Sequence, residues 1–344
     1  MEDDGMLHVP SFKMPFSNLG SPESRDAAVA HHRAEERWHA GSASKTNDTA
    51  ELRNEVNRQF VLPLLARQRS RWKEHVQKEA LEIGGVHTDV FVPRAGVASR
   101  NRSRVLVNVH GGGFLTGSRT LAEVESLPIA ARGAIKVVSV DYRMAPEHLF
   151  PAASADLAAV YEQLLDDYEP RNIGIYGSSA GGILTAQAVP WFLDQQLPLP
   201  GALGMFAGTG QLRAGGDAAI LARRVYGVGS ESSDEAAEPV RPYFAEADMT
   251  SALVAPMLWP EVLQRFPPSL LISSTRAHEM SAVIDAHNRL TLAGAQSRLH
   301  IWDGLGHCFY LDATLPESQE AERIMVEFFC QRRPKIDPLL TVEN

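Results

Sequence analysis

Residues 175 to 182 read Ile-Tyr-Gly-Ser-Ser-Ala-Gly-Gly, and they restrict what this chain can fold into more than any other stretch. Gly177, Ser179 and Gly181 stand in G-x-S-x-G spacing, directly after the β-prone run Asn172 to Tyr176 and before helix-compatible residues beginning near Ala180. That order predicts a sharp strand-to-helix turn with Ser179 at its tip. The flanking glycines suit such a turn because it leaves no room for Cβ atoms beside the serine. The serine hydroxyl is then exposed, and the first N–H groups of the helix point toward any negative charge that develops next to it. Ser179 is therefore a candidate nucleophile. A chain with 26 glycines can produce this spacing by chance, so other segments have to support it.

The first support lies upstream. Val105 to Val109 forms a β-branched run that ends in His110-Gly111-Gly112-Gly113-Phe114. Three successive glycines do not make a stable regular element, and they suit a loop whose backbone approaches another group closely. In a serine hydrolase that group is the substrate oxyanion, which would be held by N–H groups of Gly111, Gly112 and Gly113 together with the N–H after the nucleophile, here Ala180. The competing readings are a plain turn or a phosphate cradle. No Gly-Lys-Ser/Thr follows, so a P-loop is poorly supported.

Composition excludes several classes. With 344 residues, 44% of them hydrophobic, the chain can bury one large α/β domain with an appended subdomain. A formal charge of −9 argues against a nucleic-acid surface, which needs clustered Lys and Arg. Only Cys308 and Cys330 occur, so a disulfide framework is not expected and a reducing compartment is the simpler reading. Met1-Glu2-Asp3-Asp4 is acidic where a signal peptide is basic, and no run of about 18 apolar residues follows. The expectation is a cytoplasmic protein without a membrane span. Within the N-terminal segment 1–80, residues 1 to about 20 read as an irregular lead-in, and Ser21 to Ala40 and Asp48 to about Ala80 are rich in Glu, Arg and Ala, with Leu52, Val56, Phe60 and Leu64 at helical spacing and Pro63 as a kink or stop. They predict surface helices or a lid over a pocket. Strands are predicted from Val86 onward, and residues 81–335 are expected to form the main domain.

A second strand, Lys136 to Val140, runs into Asp141-Tyr142-Arg143-Met144-Ala145-Pro146-Glu147-His148. Together the H-G-G-G loop, this D-Y-R-x-A-P-E-H segment and the G-x-S-A-G-G turn resemble the hormone-sensitive-lipase-like family of α/β-hydrolases, in this order and from about Val86 to the last helix. The family usually has Asp or Thr where Ser178 precedes the nucleophile. The resemblance implies an α/β-hydrolase fold, with a central, mostly parallel sheet flanked by helices and a helical cap. The N-terminal helices and residues 208–248 would contribute to that cap, although 227 to 240 also read as a solvated insertion loop. It further implies hydrolysis of short- to medium-chain carboxylic esters, no metal or organic cofactor, and a homodimer, since members frequently dimerise.

The base follows from the same resemblance. Gly304-Leu305-Gly306-His307-Cys308-Phe309 matches the family's G-x-x-H-x-F turn, so His307 takes that role in the chain order serine, acid, histidine. Cys308 reads as a packed small residue where the family usually has glycine. His110 reads as structural, His148 as support for its loop, and His31, His32 and His39 as surface residues. The acid departs from the pattern. Aligned on Pro267-Pro268 and Leu292-Ala293-Gly294, the family's usual Asp position holds Ala277, which cannot orient an imidazole. Glu279, two residues on and one methylene longer than Asp, is the nearest replacement. Its competing reading is an exposed carboxylate at a helix N-terminus. Asp285 and Asp303 are weaker candidates, and loss of the acid stays open. That departure keeps a small-ligand-binding protein on the same fold as an alternative, and an amide or lactone hydrolase would use the same site.

Overall fold

The computed structural model describes residues 13–40, 48–212, 215–226 and 242–330. The acidic stretch from Ser230 to Glu238, the His39 side chain, the first four residues and everything after 330 lie outside the described residues. An eight-stranded sheet forms the middle layer. In chain order its strands are β1 (Val76–Ile83), β2 (Val86–Pro93), β3 (Val105–Val109), β4 (Lys136–Val140), β5 (Ile173–Ser178), β6 (Ala202–Phe206), β7 (Ser269–Ser274) and β8 (Ser297–Trp302). Their spatial order is β1-β2-β4-β3-β5-β6-β7-β8. The pairs β1/β2 and β2/β4 are antiparallel and all the others are parallel.

Side chains alternate between the two faces of this sheet, as a period of two requires. Val105, Val107, Val109, Ile173, Ile175, Leu203, Met205 and Leu271 face one buried cluster. There they pack against helices α5 (Ala152–Leu164), α6 (Ala180–Asp194) and α9 (Met280–Leu292), which contribute Leu157, Tyr161, Leu184, Phe192 and Val283. The intervening Leu106, Tyr176, Phe206, Leu270 and Ile272 face the other cluster, which helices α4 (Thr120–Gly133) and α10 (Pro316–Cys330) cover with Leu127, Ile129, Met325 and Phe329. Both faces of the parallel strands are covered, which is why β3 and β5 are buried along their whole length.

The N-terminal helices are α1 (Pro22–Ala40), α2 (Thr49–Val56) and α3 (Leu62–Trp72). A π-helical turn at Asn57–Val61 joins α2 to α3 immediately before Pro63, whose missing N–H cannot continue an ordinary helical ladder. Helix α1 is tied to α10, because Glu317 accepts from the Ser21 N–H (2.7 Å) and the Ser24 hydroxyl (2.7 Å). Arg53 of α2 donates to both Glu147 oxygens at 2.7 Å and to the carbonyls of Leu115 (2.7 Å) and Ala145 (2.8 Å). This pins the N-terminal segment to the loops that follow β3 and β4. Among the described residues, no helix is long and apolar enough to cross a membrane.

The expected boundary at residue 80 is corrected. Helical structure ends at Trp72, and β1 occupies Val76–Ile83. Gln77, Lys78, Glu79, Ala80, Leu81 and Glu82 are helix-tolerant, and all are exposed. They are extended because β1 is the sheet's edge, held by pairing with β2 and by Lys78 Nζ on Asp89 (2.7 Å). Of the expected cap insertion, α7 (Gly216–Tyr226) is described, and it packs on α9 through the Ala218 N–H and the Ser281 hydroxyl (3.1 Å). A short helix, α8 (Pro260–Leu263), precedes β7.

Candidate active site

The chain reverses its winding direction between β3 and β5. The connection from β3 leads outward to β4, and the next crosses back over β3 to β5. The carboxyl ends of adjacent strands at such a switch point leave a crevice. The glycine loop after β3 and the serine turn after β5 meet there.

Ser179 sits at φ 55°, ψ −118°, a conformation that side-chain-bearing residues rarely adopt. The turn is tight enough to require its glycines. A Cβ on Gly177 would lie 2.1 Å from the Val109 carbonyl oxygen, and one on Gly181 would lie 1.8 Å from the same atom. The turn is held by the Ser179 N–H on the Phe206 carbonyl (2.7 Å), which anchors it to the end of β6.

Ser179 Oγ lies 3.0 Å from His307 Nε2. On the other side of the ring, His307 Nδ1 lies 2.9 Å from Glu279 Oε2. The second Glu279 oxygen accepts from the Ser273 hydroxyl at the end of β7 (3.0 Å). Glu279 is the N-cap residue of α9 and is 6% exposed, so it is not the solvent-facing carboxylate of the competing sequence reading. Ala277 is buried. Asp285 pairs with Arg289 (2.6 Å), while Asp303 accepts from the hydroxyls of Thr275 (2.9 Å) and Ser17. The carboxylate that meets His307 is therefore that of Glu279.

Electrostatics follow from this contact. Burial alone would raise the Glu279 carboxyl, but the His307 ring and its hydrogen bond outweigh it and hold the pKa below the ordinary value. Burial works against an imidazolium at His307, and the adjacent Cys308 sulfur and Glu279 carboxylate overcome it, so the ring titrates well above the ordinary histidine value. His278 lies beside the pair, with its ring centroid 4.8 Å from that of His307. Burial, followed by the charge of His307, pushes His278 down to about 4.

The glycine loop needs one correction. Gly111 was expected among the oxyanion donors, but its N–H donates to Glu125 Oε1 at 2.9 Å and points into the interior. Gly112 and Gly113 have φ of 112° and 66°, and a Cβ on Gly112 would lie 2.2 Å from the Thr116 carbonyl oxygen. Gly111 nonetheless lies against Ser179, since a Cβ there would meet Ser179 Cβ at 3.5 Å. Ala180 is the first residue of α6, where helix N–H groups have no partner within the helix. His110 is buried, stacks on Tyr142 (4.4 Å) and has Nδ1 2.7 Å from the Gly111 carbonyl, a scaffolding position.

Sequence reasoning did not single out Glu125, Ser273 or His278. Glu125 is almost fully buried and also accepts from Asn108 Nδ2 (2.9 Å), and burial pushes its carboxyl up to about 7. The sequence cue is weak: Glu125 and Glu123 both fall in the stretch Leu121 to Ala130, and only the fold shows that the run is buried and that Glu125 needs an internal partner. Nothing in residue type marks Ser273 or His278.

A family model described as alpha/beta hydrolase fold matches residues 106–311, which include the glycine loop, the serine turn and His307. The protein LipR of Mycobacterium tuberculosis is 36% identical over 104 residues, covering 30% of this chain, and the match spans only 34% of LipR. An acetyl-hydrolase of Streptomyces hygroscopicus is 27% identical over 237 residues, covering 67% of this chain and 76% of that protein. Among solved structures, an esterase named E25 superposes with a TM-score of 0.78 at 26% identity, covering 95% of this chain and 99% of E25. An esterase of the bacterial hormone-sensitive lipase family superposes with a TM-score of 0.73 at 25% identity, covering 90% of this chain and 98% of that one. With its sheet order, its serine turn and these likenesses in agreement, the chain belongs to the α/β-hydrolase fold family and is similar over most of its length to bacterial hormone-sensitive-lipase-family esterases.

Proposed function

We propose that this protein is a carboxylesterase that hydrolyses short- to medium-chain acyl esters, with Ser179 as nucleophile, His307 as general base and acid, and Glu279 as the triad acid. The observation that carries the proposal is the hydrogen-bonded run from Ser179 through His307 to Glu279, set at the tip of a glycine-flanked turn. His307 Nε2 takes the Ser179 proton as Oγ attacks the ester carbonyl, and Glu279 holds the ring so that Nε2 offers its lone pair. The N–H groups of Gly112, Gly113 and Ala180 receive the oxyanion. His307 then returns the proton to the leaving alcohol, and water releases the acid from the acyl-enzyme by the same steps. The names of the relatives, esterase and acetyl-hydrolase, agree with this chemistry. The binding-protein alternative drew its support from Ala277, and a buried carboxylate already on His307 weakens that ground.

The test is turnover of p-nitrophenyl acetate, butyrate, octanoate and laurate, together with labelling by a fluorophosphonate. Wild type should hydrolyse the shorter esters and gain one phosphonyl mass, and Ser179→Ala should do neither. A wild type that is inert on every ester and unlabelled would overturn the proposal and favour a ligand-binding role.

A further inference from the structure

The loop after β7 places a second imidazole beside the triad that the proposed hydrolysis does not use. His278 Nδ1 lies 3.4 Å from Glu279 Oε2, the same oxygen that meets His307 Nδ1 at 2.9 Å. One ligand-capable atom from each of His278, Glu279 and His307 falls within 4.8 Å of the others. Zinc with bonds of about 2.0–2.1 Å in tetrahedral geometry sets its ligand atoms roughly 3.4 Å apart. The two edges that share Glu279 already stand at or inside that separation. We propose that His278, Glu279 and His307 form a binding site for one zinc-like divalent transition-metal ion, and that occupancy of this site switches the hydrolase off.

The donor set supports the choice of ion. Two imidazole nitrogens and one carboxylate oxygen suit Zn²⁺ and disfavour Mg²⁺ or Ca²⁺, which take oxygen ligands. The side chains of His278 and His307 remain 26% and 33% exposed, so solvent reaches both rings. Glu279 keeps its other oxygen on the Ser273 hydroxyl, an outer contact of the kind that orients a carboxylate ligand.

Inhibition follows from the tautomer. For the ion to bind through Nδ1 of His307, the Nδ1 proton donated to Glu279 must leave that nitrogen, and it passes through solvent to Nε2 as the ring changes tautomer. A neutral ring coordinated through Nδ1 carries its one proton on Nε2. Nε2 then has no lone pair to accept the Ser179 proton across their 3.0 Å contact. The ion also occupies the carboxylate that would stabilise an imidazolium. The inhibitory consequence rests on the triad reading, whereas the binding does not.

Zn²⁺ is titrated calorimetrically into the full-length wild type, Ser179→Ala, His278→Ala and His278→Phe, and ester turnover is measured across the same concentrations relative to each protein's own metal-free rate. Phenylalanine preserves a ring against His307, so one variant controls for lost packing. Wild type and Ser179→Ala should share a binding event that both His278 variants lack. The Zn²⁺ concentration for half-inhibition should rise at least about 10-fold in those variants, chelator should restore the wild-type rate, and Mg²⁺ should not inhibit. Unchanged zinc stoichiometry in both His278 variants, or inhibition of all proteins at one concentration, would overturn the site. If no ester is turned over, the esterase reading fails, and calorimetry on Ser179→Ala against His278→Phe still decides the binding.

Discussion

A family-like aspartate is missing at position 277, and the longer Glu279 side chain reaches His307 from two residues further along, at the start of α9. Its charge should be visible in the pH dependence. A general base must be neutral to accept a proton, so with His307 in the proposed role kcat/KM should rise with pH through its pKa, which Glu279 helps to hold above the ordinary histidine value. Glu279→Gln removes that carboxylate and should move the acid limb of the pH–rate profile to lower pH. A limb unmoved in the variant would mean that another group sets it. Glu125 gives an opposite kind of titration. Its carboxyl is raised from 4.5 to about 7 in the fold, so the folded state holds a proton that the unfolded chain releases. That contribution is fully present below about 4.5 and is lost as pH climbs to about 7. Urea unfolding of wild type and Glu125→Gln at pH 5 and pH 8 should show a larger drop in stability for wild type, and equal drops would refute the assignment.

Among the elements, the serine turn was legible because its chemistry demands its glycines, and those glycines can be read directly. A methyl group at Gly181 would be driven into the Val109 backbone carbonyl, which cannot move without disturbing β3. Gly181→Ala should therefore cost several kcal/mol, about 3 or more, and abolish turnover, as followed by thermal melting and ester hydrolysis. A stable, active variant would show that the turn is looser than described. The edge strand β1 was not legible, because its residue types tolerate a helix and only its partner β2 makes it extended. The role of Glu279 was readable only as a candidate, since reach depends on the loop's path as well as on spacing. Gly111 was misassigned for a related reason: which way an N–H faces depends on the buried carboxylate behind it. Arg53 carries the N-terminal segment's hold on the loops after β3 and β4. Lysine lacks the planar fork that reaches Glu147 and two carbonyls at once. Arg53→Lys should lower stability by about 1–3 kcal/mol, read as a reduced Tm, and an unchanged Tm would mean that the Arg53 fork adds nothing to the contacts made by Ser21 and Ser24.

Across the whole molecule, the sheet's reversal of direction does the assembling. It brings the glycine loop after β3, Ser179 after β5, Glu279 after β7 and His307 after β8 to one crevice, although these residues span positions 111 to 307. Helices on both faces bury the strands, so the loops at their carboxyl ends are carried by a rigid layer. In the proposed function this arrangement works as a serine, histidine and glutamate triad. The most direct test is kcat and KM for p-nitrophenyl butyrate with wild type and Glu279→Gln. The variant's kcat should be lower by about 10³–10⁴-fold with KM changed only modestly, because the carboxylate acts on the imidazolium formed in the transition state. A Glu279→Gln enzyme that turns over at the wild-type rate would contradict it.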